Sequence, residues 1–257
     1  MNLFDMQGKV ALVTGASAGM GLAIARRLGE AGAQVIVASN DAAAGERAVG
    51  ELLAAHNLRA AHFVCDAGDR IEVLALAHDA QELHGKVDVL ICNAGYAPPL
   101  GAIGDVSDED VERTLAVNLL GAKWLADELI PPMARRGDGS VIMMSSIAGL
   151  RGNRALGFYG VTKAANAALA RNLAVEWGPS NIRVNAISPG VIDTGFAAPL
   201  THNPDVLQRR IALTPLRRVG TPDEVAGVAL LLASRAGGFI TGQNIVVDGG
   251  TTIGDGN

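Results

Sequence analysis

Tyr159 and Lys163 are four residues apart in the run FYGVTK, the spacing at which side chains on an α-helix stand one turn above another. A helix running from about Phe158 therefore sets an ammonium beside a phenol. That neighbour favours phenolate, so a tyrosine with an ordinary pKa of about 10 is drawn toward the range where it trades protons near neutrality. Ser146 follows an apolar run at residues 141–144 that reads as a buried strand, and its hydroxyl is placed to hold a substrate oxygen against the phenol. Taken alone, these residues describe an incidental surface pair as well as an acid/base site. The elements around them decide between the two.

The first candidate strand, residues 9–14 (KVALVT), runs into Gly15-Ala-Ser-Ala-Gly19-Met-Gly21 and then an amphipathic stretch to Leu28. Strand, glycine turn and helix in that order suit a pyrophosphate. Gly15 permits the turn, Gly19 lets backbone approach the phosphate, Gly21 allows close packing, and the free amides at the helix start attract the charge. Glycines also punctuate ordinary turns, but here the flanking strand and helix match. Ser17 and Met20 in the same turn join the candidate contacts.

A second strand, residues 34–38, ends at Ser39-Asn40. An acidic residue there would bond a ribose 2′-hydroxyl and repel a 2′-phosphate, whereas an arginine would accept the phosphate. Neither is present, and Asp41 lies one step further on, so the strand end leans toward a phosphorylated dinucleotide. The same Ser-Asn-Asp cluster reads equally well as the cap of a helix over 42–56. A third strand, 62–65, ends in Asp66 and Ala67. Asp66 either accepts from an adenine amino group or caps the next helix, which runs through Leu83. The fourth strand, 87–91, closes with Cys92-Asn93-Ala94-Gly95, small residues where a flat ring needs close backbone approach. Tyr96, Pro98 and Pro99 form a loop before a helix over 108–129. Asn118 sits inside that helix, where asparagine competes with its own backbone, and either a functional duty or a solvent-facing side chain accounts for it.

The sixth strand, 182–188, ends at Pro189-Gly190. Residues 195–213 are polar and proline-broken without clear period, and they read as a mobile lid over the substrate, with a plain surface excursion as the alternative. Thr221-Pro222-Asp223-Glu224 opens a helix to Ala233, and 242–248 supplies the last strand. Strands alternating with helices imply a parallel α/β sheet.

At 257 residues and 49% hydrophobic content the chain can bury a large core. No apolar run approaches the roughly 18 residues needed to cross a bilayer. The N-terminus shows no secretory pattern, and the two cysteines, Cys65 and Cys92, lie in strand-like runs that suit reduced buried thiols. A cytoplasmic protein is expected. A net charge of −5 argues against a nucleic-acid binder. There is no metal-ligand spacing, repeat or low-complexity segment, and the tail 249–257 is too short for a second domain.

In order and spacing, Thr14-Gly15-x3-Gly19-x-Gly21, Asn93-Ala94-Gly95, Asn118, Ser146, Tyr159-x3-Lys163 and Pro189-Gly190 with Thr194 resemble the short-chain dehydrogenase/reductase family over nearly the whole chain. The resemblance implies a single Rossmann-type α/β domain, a doubly wound parallel sheet of about seven strands in three αβα layers. It implies a nicotinamide cofactor, NAD(P)(H), for which the Ser39-Asn40 strand end supplies the lean to NADP(H), and hydride transfer between an alcohol carbon and a carbonyl. Under it Tyr159 is the acid/base, Lys163 lowers its pKa and holds the nicotinamide ribose, Ser146 orients the substrate oxygen and Asn118 supports a proton-relay water. Thr194 touches the nicotinamide carboxamide, with Pro189, Gly190 and Ile192 beside it. Two departures stand out. Cys92 replaces the first asparagine of the usual Asn-Asn-Ala-Gly, and Ala18 stands where many phosphate-preferring members carry a basic residue. Members commonly form homotetramers through the helices that here span 108–129 and 159–177, the second rich in alanine.

Substrate contacts are expected from loops at the strand ends: Tyr96, Arg151, Asn153, Arg154, Leu156 and Phe196, together with Ser146 and Tyr159. Arg151 and Arg154 would meet an anionic or hydroxylated small molecule, although most loop arginines are simply solvated. A sugar-like compound is one expectation. A 3-oxoacyl-carrier-protein reductase is the alternative; Ser180 occupies one place where a carrier-gripping arginine is expected, while Arg135 and Arg136 lie near another. Retention of all four catalytic positions argues against an idle dinucleotide-binding sensor or scaffold, and the chain is short for a dehydratase or epimerase.

Overall fold

The structure is a computed structural model and describes residues 2–56 and 58–254. Met1, where the N-terminal reading starts, and the last three residues of the tail lie outside them. Seven strands form one parallel sheet in the order β3-β2-β1-β4-β5-β6-β7. They are β1 (Val10–Thr14), β2 (Gln34–Ser39), β3 (Ala60–Val64), β4 (Val89–Cys92), β5 (Gly139–Met144), β6 (Ile182–Pro189) and β7 (Asn244–Val247). Parallel strands covered on both faces need apolar residues at successive positions, and all residues of β1, β4 and β5 are buried. Leu12, Leu90, Val141 and Val184 point to one layer of helices, whereas Val13, Ile91, Ile142 and Ile187 point to the other. The doubly wound Rossmann-type expectation is met.

The helices α1 (Gly19–Glu30), α2 (Ala42–His56) and α3 (Arg70–His84) cross between the first four strands. Asp69 rather than Asp66 caps α3, accepting from the amides of Ile71 and Glu72. The single helix expected over 108–129 is three pieces: α4 (Asp108–Leu115), a π-turn (Ala116–Leu120) holding Asn118, and α5 (Gly121–Arg136). α5 continues through Pro131 and Pro132, where proline ordinarily ends a helix. The carbonyls these prolines leave without a donor belong to Asp127 and Glu128 on the exposed face, while Leu129, Ile130 and Met133 keep the helix anchored in the core.

Beyond α6 (Tyr159–Trp177), residues 195–213 are not irregular. They form a 3₁₀ turn, α7 (Ala198–Thr201) and α8 (Pro204–Ala212). Asn203 caps α8 through the amides of Asp205 and Val206, Pro204 opens it, and Arg209 and Arg210 close it, so local capping supplies what the weak periodicity hid. α9 (Pro222–Ala233) starts at the capping box of Thr221 and Glu224. Arg183, inside β6, donates to the carbonyls of Leu232, Ala233, Ser234 and Gly237 and so closes the far end of α9. Among the described residues no helix is long and apolar enough to cross a membrane.

Candidate active site

α6 docks on the end of β5 at unusually close range. A Cβ on Gly160 would lie 2.6 Å from the Ala148 carbonyl oxygen, and one on Gly149 would lie 2.6 Å from the Ala164 nitrogen. Only glycine fits at either place. The gap so closed is spanned by hydrogen bonds. Ser145 Oγ donates to the Lys163 carbonyl at 2.7 Å, Lys163 Nζ donates to the Met144 carbonyl at 2.9 Å, and Asn166 Nδ2 donates to the same oxygen at 3.3 Å. Ser146 leaves β5 in extended conformation and caps the short turn Ile147–Gly149. These contacts bring Ser146, Tyr159 and Lys163 together, as expected from their spacing.

The protonation balance differs from expectation. Burial pushes the Tyr159 phenol up to about 12, and its hydrogen bond with Ser146 only partly opposes this. The ammonium does not reverse the shift because it is directed at Met144 and lies 5.5 Å from the phenol ring's centroid. Lys163 is itself only 3% exposed, and burial lowers it to about 8. At neutral pH the pair is a neutral phenol and an ammonium, arranged to donate a proton.

The glycine turn follows the same logic of close approach. Gly15 has a φ of +61°, and a Cβ there would lie 2.8 Å from Ala94 Cα. Gly21 has no room either, its Cβ position being 2.3 Å from the Gly15 carbonyl oxygen. Asn93 turns inward. Its amide donates to the carbonyls of Thr14 and Gly15 at 2.9 Å each, and Thr14 Oγ1 accepts from the amides of Asn93 and Ala94. The Asn93 side chain therefore staples the turn to β4 and is not part of the cleft lining. At α1, Ala18 offers no side-chain cap and the first turn holds no acid, so the leading amides suit a phosphate. Thr194 packs against Gly19 from across the groove.

A cleft of about 150 Å³ opens beside this turn, lined by Gly15, Ser39, Asn40, Asp66, Ala67, Ala94 and Gly95. Ser39 is nearly buried, and its hydroxyl bonds to Ser17 Oγ and the Asp41 backbone. Asp41 accepts from the Ala44 amide and belongs to the α2 cap. Asn40 is thus the polar side chain left open to the cleft at this strand end. The Asp66 carboxylate is held by Arg113 at 2.9 Å and by the Gly68 amide. Arg113 carries no sequence pattern that marks it, because its partner lies 47 positions away.

Asn118 is 2% exposed rather than solvent-facing. Its Oδ1 accepts from the Tyr96 amide at 2.7 Å, and its Nδ2 donates to the Tyr96 carbonyl at 2.9 Å and to Thr162 Oγ1 at 3.1 Å. The side chain clamps the Tyr96 loop to α6. The Tyr96 phenol donates to Asp110 at 2.6 Å, which raises its own pKa.

A second cavity, about 570 Å³, lies over Ser146 and Tyr159 and adjoins the first at Tyr96. Met20, Asn153, Leu156, Pro189, Gly190, Ile192, Thr194 and Phe196 line it, as does Arg151. The Phe196 ring is 6.1 Å from that of Tyr159. Arg154 is exposed and does not line the cavity, unlike its neighbour Asn153. Arg210, which sequence reasoning did not single out, reaches the wall from the last turn of α8. Arg136 donates to the Val87 carbonyl and pairs with Asp88 at 3.5 Å. Cys65 and Cys92 are free and buried, and burial raises both thiols to about 12.

A family model described as enoyl-(acyl carrier protein) reductase matches residues 15–252. Dehydrogenase/reductase SDR family member 4 of Bos taurus is 39% identical over 246 residues, 96% of this chain and 88% of the relative. Among solved structures, a 7α-hydroxysteroid dehydrogenase complexed with NADH and 7-oxo glycochenodeoxycholic acid is 35% identical, with a TM-score of 0.92 over 97% of both chains. A putative NAD(P)-dependent gluconate 5-dehydrogenase from Beutenbergia cavernae, with NADP bound at low occupancy, is 31% identical, with a TM-score of 0.93 over 98% of this chain and 100% of that one. Since the likeness runs through almost the entire sequence and the whole sheet, the chain belongs to the short-chain dehydrogenase/reductase family of oxidoreductases.

Proposed function

We propose that the chain is an NAD(P)(H)-dependent oxidoreductase that interconverts a secondary alcohol and a ketone, with Tyr159 as its acid/base. The observation that carries this reading is the neutral Tyr159 phenol, bonded to Ser146 and facing a cavity that shares Tyr96 on its wall with the glycine-turn cleft. Gly15, Ser17, Gly19 and Met20 would hold the dinucleotide's phosphates, and Asn40, Asp66 and Ala67 its adenosine. Ala94, Gly95, Gly190, Ile192 and Thr194 would flank the nicotinamide side. When bound, the nicotinamide supplies or accepts the hydride.

The protein's own groups handle the proton. Tyr159 gives its proton to the carbonyl oxygen as ketone becomes alcohol and takes one back in the reverse direction. Ser146 holds that oxygen in place. Lys163 stabilises the phenolate left after proton transfer, and its N–H groups not used by Met144 are free for ribose hydroxyls. The Asn118 side chain is fully engaged, so support for a relay water falls to its backbone carbonyl in the π-turn. The cavity's walls are mainly apolar, which favours an apolar substrate body over a polyol.

We also propose a homotetramer that uses the outer face of α6, where Val161, Ala164 and Val175 are exposed while Ala167, Ala170 and Ala174 face the core. Residues 195–213 act in this reading as the lid that carries Phe196 and Arg210 over the substrate.

Tyr159→Phe is expected to keep dinucleotide binding and to lower kcat by roughly 10²–10⁴; most of the activity surviving would refute the assignment. Lys163→Ala is expected to weaken both turnover and dinucleotide affinity, which titration calorimetry separates from kinetics. For cofactor choice, Ser39→Asp sets a carboxylate at the end of β2 and is expected to shift the NADH/NADPH ratio of kcat/KM toward NADH by roughly tenfold or more. Asn40→Arg is expected to shift it toward NADPH; no response to either substitution would sink this reading of the strand end. Light scattering is expected to give four copies per particle, and a stable monomer at micromolar concentration contradicts the α6 interface.

A further inference from the structure

Five arginines are partly buried among the described residues: Arg26, Arg27, Arg113, Arg183 and Arg210. Four of them have their charge answered. Arg26 pairs with Asp223 at 2.7 Å, Arg27 with Glu30 at 2.9 Å and Arg113 with Asp66 at 2.9 Å, while Arg183 spends its donors on four carbonyls at the end of α9. Arg210 has no hydrogen-bond or ion-pair partner for its side chain among the described residues, although it lines the larger cavity. A half-buried guanidinium with five donors and no acceptor is costly, and proteins ordinarily pair it.

Its surroundings make matters worse. Burial, Arg151 and Arg209 all lower Arg210's pKa, in that order, so the charges that act on it are cations. Arg151 lies on the same cavity wall, on the turn after Ser146, and is held there by one bond from Nη1 to the Thr251 carbonyl at 3.1 Å. Among the described residues no aspartate or glutamate lines the cavity. The rest of the wall is mainly apolar, with Leu100, Leu156, Val191 and Phe196, and its other polar side chains, among them Ser146, Asn153, Tyr159 and Thr194, are uncharged. The cavity therefore holds two like charges, one from the β5 end and one from α8, with no anionic side chain among the described residues on its wall to join them.

We propose that the substrate is a carbonyl or alcohol compound with an apolar body and a terminal carboxylate, its reacting oxygen at Ser146 and Tyr159 and its carboxylate between Arg151 and Arg210. This rests on the oxidoreductase reading of the same site. A planar carboxylate matches the guanidinium fork and can accept from both residues. It relieves the repulsion between them and fixes α8 over the bound molecule. Neutral ketones leave Arg210 unanswered, and polyols find few partners on these walls. Specificity of this kind comes from the buried charge that only the right ligand satisfies.

The test compares a ring ketone bearing a butanoate side chain with its methyl ester, each offered with NADH and NADPH. The acid is expected to be preferred by about tenfold or more in kcat/KM, the worth of a charge-assisted hydrogen bond, mostly through KM. In Arg210→Gln the acid-to-ester ratio is expected to fall toward unity, while in Arg209→Gln, changed on the same helix outside the cavity, it is expected to stay as in wild type. Equal use of acid and ester by the wild type would overturn the proposal. Calorimetry with cyclohexanebutanoate and cyclohexanebutanamide on the wild-type protein gives an answer free of turnover and of any folding defect in the variants. Binding of the carboxylate but not the amide supports the subsite even if no ketone is reduced, in which case only the oxidoreductase reading fails. Equal binding of the two, or binding of neither, sinks the subsite whatever the activity.

Discussion

Lys163 places an ammonium where water scarcely reaches, and the site depends on how that charge is tolerated. A buried charge is costly unless it is hydrogen-bonded, and here the carbonyl of Met144 at the end of β5 accepts from it at 2.9 Å. For the bond to form, α6 must lie almost against the strand end. Gly149 and Gly160 allow that approach, Ser145 fastens the Lys163 carbonyl, and Asn166 takes a place beside Lys163 at Met144. The same approach sets Tyr159 over Ser146. Catalytic geometry is thus a consequence of packing, and no mobile loop has to supply it.

The groove in front of that joint follows from the sheet. Parallel strands end on one side, and the order reverses between β1 and β4, which opens a crevice where ligands bind in sheets of this kind. The turn after β1 lies at this crevice, clamped by Asn93 and Thr14. Asn118 repeats the device further along by clamping Tyr96 to α6 through Thr162. Asn118, buried with both polar atoms of its side chain used, makes a rigid joint. The two cavities meet at Tyr96, the residue whose backbone that joint controls.

Much of this was legible in the residue order. Apolar runs mark every strand of the sheet to within a few residues, and α2 is read to both ends because Asp41 caps it locally. Tyr159 and Lys163 could be paired because their relation is set by one turn of helix. What escaped depends on contacts distant in sequence. The π-turn at Asn118 answers to Tyr96 and Thr162, and α5 runs through two prolines because its inner face is held by the core. Arg113 and Arg210 acquire meaning only from what lies, or does not lie, beside them. The sign of the Tyr159 shift was misjudged for the same reason: spacing reveals an ammonium nearby, but not that it faces Met144 or that burial outweighs it.

The chain holds two tyrosines, Tyr96 and Tyr159, so near-ultraviolet absorbance of phenolate can report the state of the site directly. Subtracting the alkaline titration of Tyr159→Phe from that of the wild type isolates Tyr159. The account requires that this difference show no phenolate as the pH passes the ordinary tyrosine value of 10, its pKa lying at about 12. Phenolate appearing below pH 10 would mean that Lys163 rather than burial governs the phenol, and would contradict the neutral proton donor on which the reading of this site rests.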